Sequence, residues 1–401
     1  MKKLRVGVWL HGKLGSNHGG AYGYYHELAS ALHVHSFKDA EIVFLSNGEV
    51  DSDEFEYKKI LWKPRKTNIL KFFLTLALGV HPIGKSFRKK LEESITEETN
   101  KLKNEVYQYA DLIYYLTPSC VYPDVPYVYT LWDLGHYNSY AFPETTMNGN
   151  FELRESKHSL SCHKALMVFT ESETGKKECE KYLHMNKERL RVLPIFPAGV
   201  VHPKHKSKKP EKMKENEFFI HYPAQYWAHK NHYNLLEAMP TVIKAFPEVR
   251  LVLTGSDTGN KEYIMRTISE LKLEKNIIEL GFVTTEEIRW LYENSHGLVF
   301  PTLLGPTNMP PVEAATLGCP VACTNLPGHI EQLSDYGYYF DGLNANDIAE
   351  KIIKMIRDKK SGVVKKYDAH FTIDATLKIL DGAFSDLQKV RFCWDTAKAD
   401  N

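Results

Sequence analysis

Short apolar runs alternate with amphipathic stretches along almost the whole chain, and this alternation limits the fold more than any other feature. In the first half, Val6–Leu10, Glu41–Ser46, Leu112–Tyr115, Tyr127–Leu131, Leu166–Thr170 and Leu190–Leu193 read as strands. The second half offers Phe218–Tyr222, Arg250–Thr254, Ile277–Leu280, Gly297–Phe300, Pro320–Cys323 and Tyr338–Phe340. Strands spaced by helix-length segments specify βα units and parallel sheets. Between the halves lies PAGVVHPKHKSKKPEKMKEN, rich in Lys and Pro with few large apolar residues, the composition of a linker or exposed loop. A chain of 401 residues can hold two cores. The expected architecture is α/β, with two Rossmann-like doubly wound domains facing a central cleft. Their bounds are 1–200 and 217–376, with a linker at 201–216 and a tail at 377–401 that has helical spacing over Leu377–Trp394.

A net charge of +1 gives no global case for a nucleic-acid partner. The 6 cysteines form no zinc spacing, which fits a reduced, cytoplasmic setting. The start, MKKLRVGVWL, resembles a signal n-region but runs into a Gly-rich loop without an adequate apolar stretch, so it reads as the first strand. Residues 69–80, ILKFFLTLALGV, are too short to span a bilayer. Basic clusters flank that run within 56–103, at Lys58, Lys59, Lys63, Arg65 and Lys66, and at Arg88, Lys89 and Lys90. Solvated helical faces account for such clusters. A second reading is peripheral contact with the inner face of a membrane. Asp51-Ser52-Asp53 sits in a polar stretch after a strand and a turn, and no metal is assigned to it.

Residues 301–325, PTLLGPTNMPPVEAATLGCPVACTN, carry the densest chemistry. A Gly- and Pro-rich loop enters a short helix that ends near Gly318. Pro310 and Pro311 suit first helical positions, where a missing N–H costs nothing. The helix start at Thr307, Asn308 and Met309 is expected to present free N–H groups, a good site for phosphate. Glu313, just inside, can accept hydrogen bonds from the two hydroxyls of a ribose. Diphosphate beside a diol describes a nucleotide-sugar.

This stretch resembles the donor-binding segment of retaining GT-B glycosyltransferases of the family 4 type, with Pro301, Pro310, Glu313, Ala314, Gly318, Pro320 and Val321 in register. The first family Glu is Gly305 here. In HGKLGSNHGGAYGYYHELASAL, the resemblance places Gly20 beside the donor diphosphate and Gly19 toward the acceptor. In YVYTLWDLGHYNSYAFPE, Asp133, His136 and Phe142-Pro143-Glu144 match, while Trp132 replaces the first family His and could stack on a pyranose. In HYPAQYWAHKNHYNLLEAMP, Lys230 matches the family Lys that grips donor phosphates, and Gln225 stands for the family Arg. In ELGFVTTEEIRW, backbone groups near Val283 would meet the base edge.

The resemblance implies transfer of a hexosyl unit, with retention and without a metal cofactor, from a UDP- or GDP-linked sugar to a hydroxyl of a glycan or lipid-linked saccharide. Asp133, His136 and Lys230 are the catalytic candidates, with His136 as an orienting group. The tail helix would return to the first domain. Because the Arg, first Glu and first His are replaced, two alternatives stay open: a non-catalytic sugar-binding or partner subunit, and a nucleotide-sugar epimerase on the same fold.

Overall fold

A computed structural model describes residues 2–11, 20–50, 56–61, 100–101, 103–121, 124–139, 141–391 and 393. Gly19, Asp51–Asp53 and 62–99, which hold most of the basic and apolar stretch, lie outside these residues.

Each half of the chain builds one parallel sheet. The first runs β3-β2-β1-β4-β5-β6-β7, from β1 (Leu4–Trp9), β2 (Ala40–Ser46), β3 (Tyr57–Lys59), β4 (Leu112–Tyr115), β5 (Tyr127–Leu131), β6 (Met167–Thr170) and β7 (Leu190–Val192). The second runs β10-β9-β8-β11-β12-β13, from β8 (Phe219–Pro223), β9 (Arg250–Thr254), β10 (Ile277–Gly281), β11 (Leu298–Phe300), β12 (Val321–Thr324) and β13 (Tyr338–Phe340). Central strands such as β4, β5 and β12 are buried at every residue, because helices cover both faces of a parallel sheet.

One strand has no apolar run to announce it. β3 is the three-residue YKK at a sheet edge, where Phe44 pairs with Tyr57. Its two lysines suit an edge, since charge there discourages pairing with another chain.

The helices that matter for the site are α1 (Gly20–Val34), α2 (Asn150–Lys164), α3 (Glu173–Tyr182), α4 (His232–Ala245), α5 (Lys261–Glu270), α6 (Thr285–Asn294), α7 (Met309–Thr316), α8 (Pro327–Leu333), α9 (Ala345–Lys360) and α10 (Ile373–Arg391). Met213, in the Lys/Pro-rich stretch, is buried against Phe219, Val252 and Leu291. His205 bonds Glu286 of α6 at 2.9 Å, and Arg289 donates to Val200 O and His202 O. That stretch is therefore pinned to the second lobe. The last helix, α10, buries Leu380 and Phe384 in the first lobe's core, with Phe384 against Phe37 and Tyr114. Gln388 bonds Lys2 O at 3.0 Å and Arg391 pairs with Asp111 at 2.8 Å, tying the chain's end to its beginning.

In open parallel sheets, ligands bind outside the carboxyl ends of the strands where the strand order reverses. Those reversals fall between β1 and β4 in the first lobe and between β8 and β11 in the second. The segments after β8 and β11 carry Lys230 and Asn308.

Candidate active site

The turn after β8 is shaped by close backbone packing. Gly255 has φ 145°, and a Cβ there would meet Ala224 O at 2.1 Å, so β9 can lie this near only through glycine. Asn231, at φ 59°, donates to Pro301 O at 2.9 Å and Gly342 O at 2.7 Å. The Tyr222 hydroxyl donates to Lys230 O at 2.5 Å. These bonds fix Lys230 beside the loop that follows β11.

Lys230 Nζ reaches Asn308 Oδ1 at 3.4 Å and lies 5.2 Å from the Phe300 ring centre. Among the described residues no carboxylate comes within 4.0 Å of it. Burial lowers its pKa to about 8, against the opposing pull of Asp133 and Glu144. The result is a half-buried cation at the switch point, attracted by Asp133 and Glu144 but, among the described residues, in ion-pair contact with neither.

Asn308 is held on every side. Its N–H donates to Gln332 Oε1 at 3.0 Å and its carbonyl accepts from Gln332 Nε2 at 3.1 Å. Its side-chain Nδ2 donates to Leu304 O and, at 3.0 Å, to His329 Nε2. Buried His329 donates from Nδ1 to Thr324 O at 2.8 Å, and burial lowers its pKa to about 4, so it is the neutral tautomer that accepts at Nε2. This chain of bonds turns Asn308 Oδ1 toward Lys230.

The expected row of three free N–H groups is therefore shortened. Gln332 takes that of Asn308, and Pro310 and Pro311 have none. The N–H groups of Thr307 and Met309 form no bond among the described residues. Met309's side chain packs against the first lobe's core.

Glu313 is only 5% exposed. Its Oε2 accepts the Tyr292 hydroxyl at 3.0 Å, and burial raises its pKa to about 7 despite that bond. Gly305, at the first family Glu position, has φ 110°, a conformation that disfavours any side chain. Gln225 is exposed and accepts from Trp227 Nε1 at 3.0 Å. Val283 packs beside Phe219 and Leu291. Gly20 opens α1.

Across the cleft, Asp133 follows β5 with its side chain 30% exposed. Its Oδ1 accepts the Gly135 N–H at 2.8 Å and pairs with Arg154 of α2. Trp132 is half-buried, and its Nε1 has no partner among the described residues. His136 corrects the expectation of a cleft-facing group. It is 0% exposed, its Nε2 lies 3.2 Å from Glu155 Oε2, and its ring packs on Phe151. With no surface for a ligand, it supports α2.

Glu144, named from sequence only within a motif match, and His229 join the two lobes. Glu144 accepts from both the His229 N–H at 2.9 Å and His229 Nδ1 at 2.6 Å. Burial, then Lys230, lowers the His229 pKa to about 4, so the ring donates as a neutral group. The Leu304 side chain reaches the first lobe at Gly135, where a Cβ would meet it at 2.5 Å. At the first lobe's own switch point, His11 Nε2 and Thr117 Oγ1 are 2.8 Å apart. The Phe142-Pro143-Glu144 match was the one signal pointing to Glu144.

Two parallel αβα lobes whose ligand-binding edges meet in this way define the GT-B class of fold. Residues 203–370, within the second lobe, match the model of the glycosyl transferases group 1. Sucrose-phosphate synthase from Thermosynechococcus elongatus has the same fold, with TM-score 0.66 and 15% identity over 98% of this chain and 100% of that one. HepE of Anabaena in complex with UDP superposes with TM-score 0.58 and 16% identity over 97% and 98%. The O-antigen chain mannosyltransferase RfbU of Salmonella typhimurium is 22% identical over 180 residues, 45% of this chain and 48% of that protein. The match thus spans about half the length of that curated relative.

Proposed function

We propose that this protein is a glycosyltransferase that moves a hexosyl unit from a nucleotide diphosphate sugar, UDP- or GDP-linked, to a hydroxyl of a glycan or lipid-linked saccharide, with retention and without a metal. The observation that carries this reading is Lys230: a half-buried ammonium with no carboxylate within 4.0 Å among the described residues, at the crevice of a group 1 lobe. Leaving such a cation unpaired is costly unless an anion arrives to meet it. The name of RfbU, an O-antigen chain mannosyltransferase, and the UDP complex of HepE support sugar transfer from a nucleotide donor onto a growing surface glycan.

In this mechanism Lys230 and the N–H groups of Thr307 and Met309 stabilise negative charge as the sugar–phosphate bond breaks. The departing phosphate oxygen takes the proton of the acceptor hydroxyl as the new glycosidic bond forms on the same face, so no side-chain base is required. Asp133 and Trp132 orient the acceptor, and Glu313 holds the ribose. Closure of the lobes excludes water. An idle partner subunit would have no need to keep Lys230 without a paired carboxylate among the described residues, which favours an active enzyme.

A thermal-shift panel across UDP, GDP, dTDP and ADP, followed by incubation with nucleotide sugars, tests the reading. A transferase is stabilised by one or two nucleotides and slowly releases free nucleotide from its donor. An epimerase yields a new sugar isomer, and absence of any binding defeats the proposal.

A further inference from the structure

The seven-residue α8 touches both sides of the cleft within a single turn. Toward the second lobe, Gly328 lies so close to the donor loop that a Cβ would meet Pro306 O at 1.1 Å. His329 and Gln332 hold Asn308 as described. Toward the first lobe, Glu331 reaches the start of α3: Oε1 accepts the Glu173 N–H at 2.7 Å, and Oε2 accepts the Thr174 N–H and hydroxyl, each at 3.2 Å. Ser172 Oγ accepts the next N–H, that of Gly175, at 2.9 Å. Glu331 thus caps a helix that belongs to the opposite lobe, and no Lys or Arg among the described residues pairs with it within 4.0 Å.

Because neighbouring residues of one rigid turn make these contacts, docking of Glu331 on α3 sets the position of His329 and Gln332, and they set the position of Asn308. We propose that Glu331 is a positioning residue that couples lobe closure to the phosphate site, completing the Asn308–Lys230 pair only when the lobes meet. This rests on the proposed nucleotide-sugar function and adds to it that the diphosphate, more than the nucleoside, reports closure.

Isothermal titration with UDP and GDP, and with uridine and guanosine as controls, tests the coupling in Glu331→Ala, Glu331→Gln, Thr174→Val and the Glu331→Ala/Thr174→Val double variant. Glu331→Ala is expected to weaken the diphosphate that binds wild type by about five- to twentyfold while leaving its nucleoside unchanged. Glu331→Gln, which keeps an acceptor oxygen, should lose less. Thr174→Val, altered on the other lobe, should lose about two- to threefold, and the double variant no more than Glu331→Ala. Equal weakening of nucleoside and diphosphate, additive losses, or no loss in Glu331→Ala and Thr174→Val would each overturn the proposal. If wild type binds neither diphosphate, the functional reading fails first and this inference with it.

Discussion

Replacing Glu313 by Gln should make the protein more stable and less able to bind its donor, with a stability gain that exists only at neutral to alkaline pH. Burial raises the Glu313 pKa from 4.5 to about 7. For an acid with a raised folded-state pKa, the native state resists ionisation while the unfolded chain does not. The penalty is absent below pH 4.5, grows through the interval up to about 7, and stays constant above it. Each tenfold change in proton affinity is about 1.36 kcal/mol, so the carboxylate costs the fold about 3 kcal/mol at pH 8. Gln keeps an acceptor for the Tyr292 hydroxyl but adds amide hydrogens that need partners, returning roughly 1–2 kcal/mol. The net gain at pH 8 is then about 1–2 kcal/mol, or about 3–6 °C in Tm for lobes of this size. At pH 5 the gain should vanish or reverse. Melting curves of both proteins at pH 5 and pH 8 provide the measurement, and the difference between the two shifts is the informative quantity. A shift that is the same at both pH values, or larger at pH 5, would refute the assignment of a strained carboxylate. The same variant should lose about tenfold in nucleotide affinity if ribose hydroxyls bind the ionised form, a trade of function for stability.

Four further outcomes follow from the site. Lys230→Ala should weaken UDP or GDP binding by about 1–3 kcal/mol, read by titration at fixed ionic strength, with little change for the bare nucleoside. Because the Lys230 pKa lies near 8 and only the ammonium attracts a diphosphate, wild-type affinity should be flat below about pH 8 and decline above it; a profile of dissociation constants from pH 6 to 10 checks the sign. His136→Gln, altered far from solvent, should lower Tm but leave nucleotide affinity intact, whereas a loss of affinity with unchanged Tm would return it to the cleft. Gly305→Glu should not improve activity despite restoring the family residue. With φ 110° it should instead destabilise by about 1–2 kcal/mol, visible as a lower denaturation midpoint.

Much of the framework was legible because strands of a parallel sheet, buried on both faces, appear as uninterrupted apolar runs. The runs at Leu112–Tyr115, Tyr127–Leu131, Arg250–Thr254 and Tyr338–Phe340 coincide with β4, β5, β9 and β13 residue for residue. β3 escaped notice because an edge strand needs no apolar run, and Tyr57-Lys58-Lys59 has none. Within the site, sequence reached as far as a single loop or turn reaches. Asn308 could be placed at a loop-to-helix junction from local pattern alone, whereas Lys230 stood out only through the family resemblance. What pattern could not show is which ends face each other: Glu144 and His229 are separated by 85 positions, and Glu331 and Thr174 by 157.

His136 shows the opposite failure, where a local match pointed to the wrong surroundings. Its position after a strand end is right for a ligand-binding group, but α2 folds back and covers it with Phe151 and Glu155. Whether a polar residue at a strand end meets ligand or protein depends on the next helix's path, which no short motif encodes. Gly305 makes the same point through the backbone. A missing carboxylate reads in sequence as a lost contact, but the φ of 110° at Gly305 disfavours any side chain there, and Leu304 beside it extends to Gly135 of the other lobe. On the proposed function, the hexose would be flanked from both lobes, by Leu304 and by Asp133, whose side chains meet beside Gly135. The sugar is best sought by varying those two side chains, because restoring the glutamate would strain the loop that holds them together.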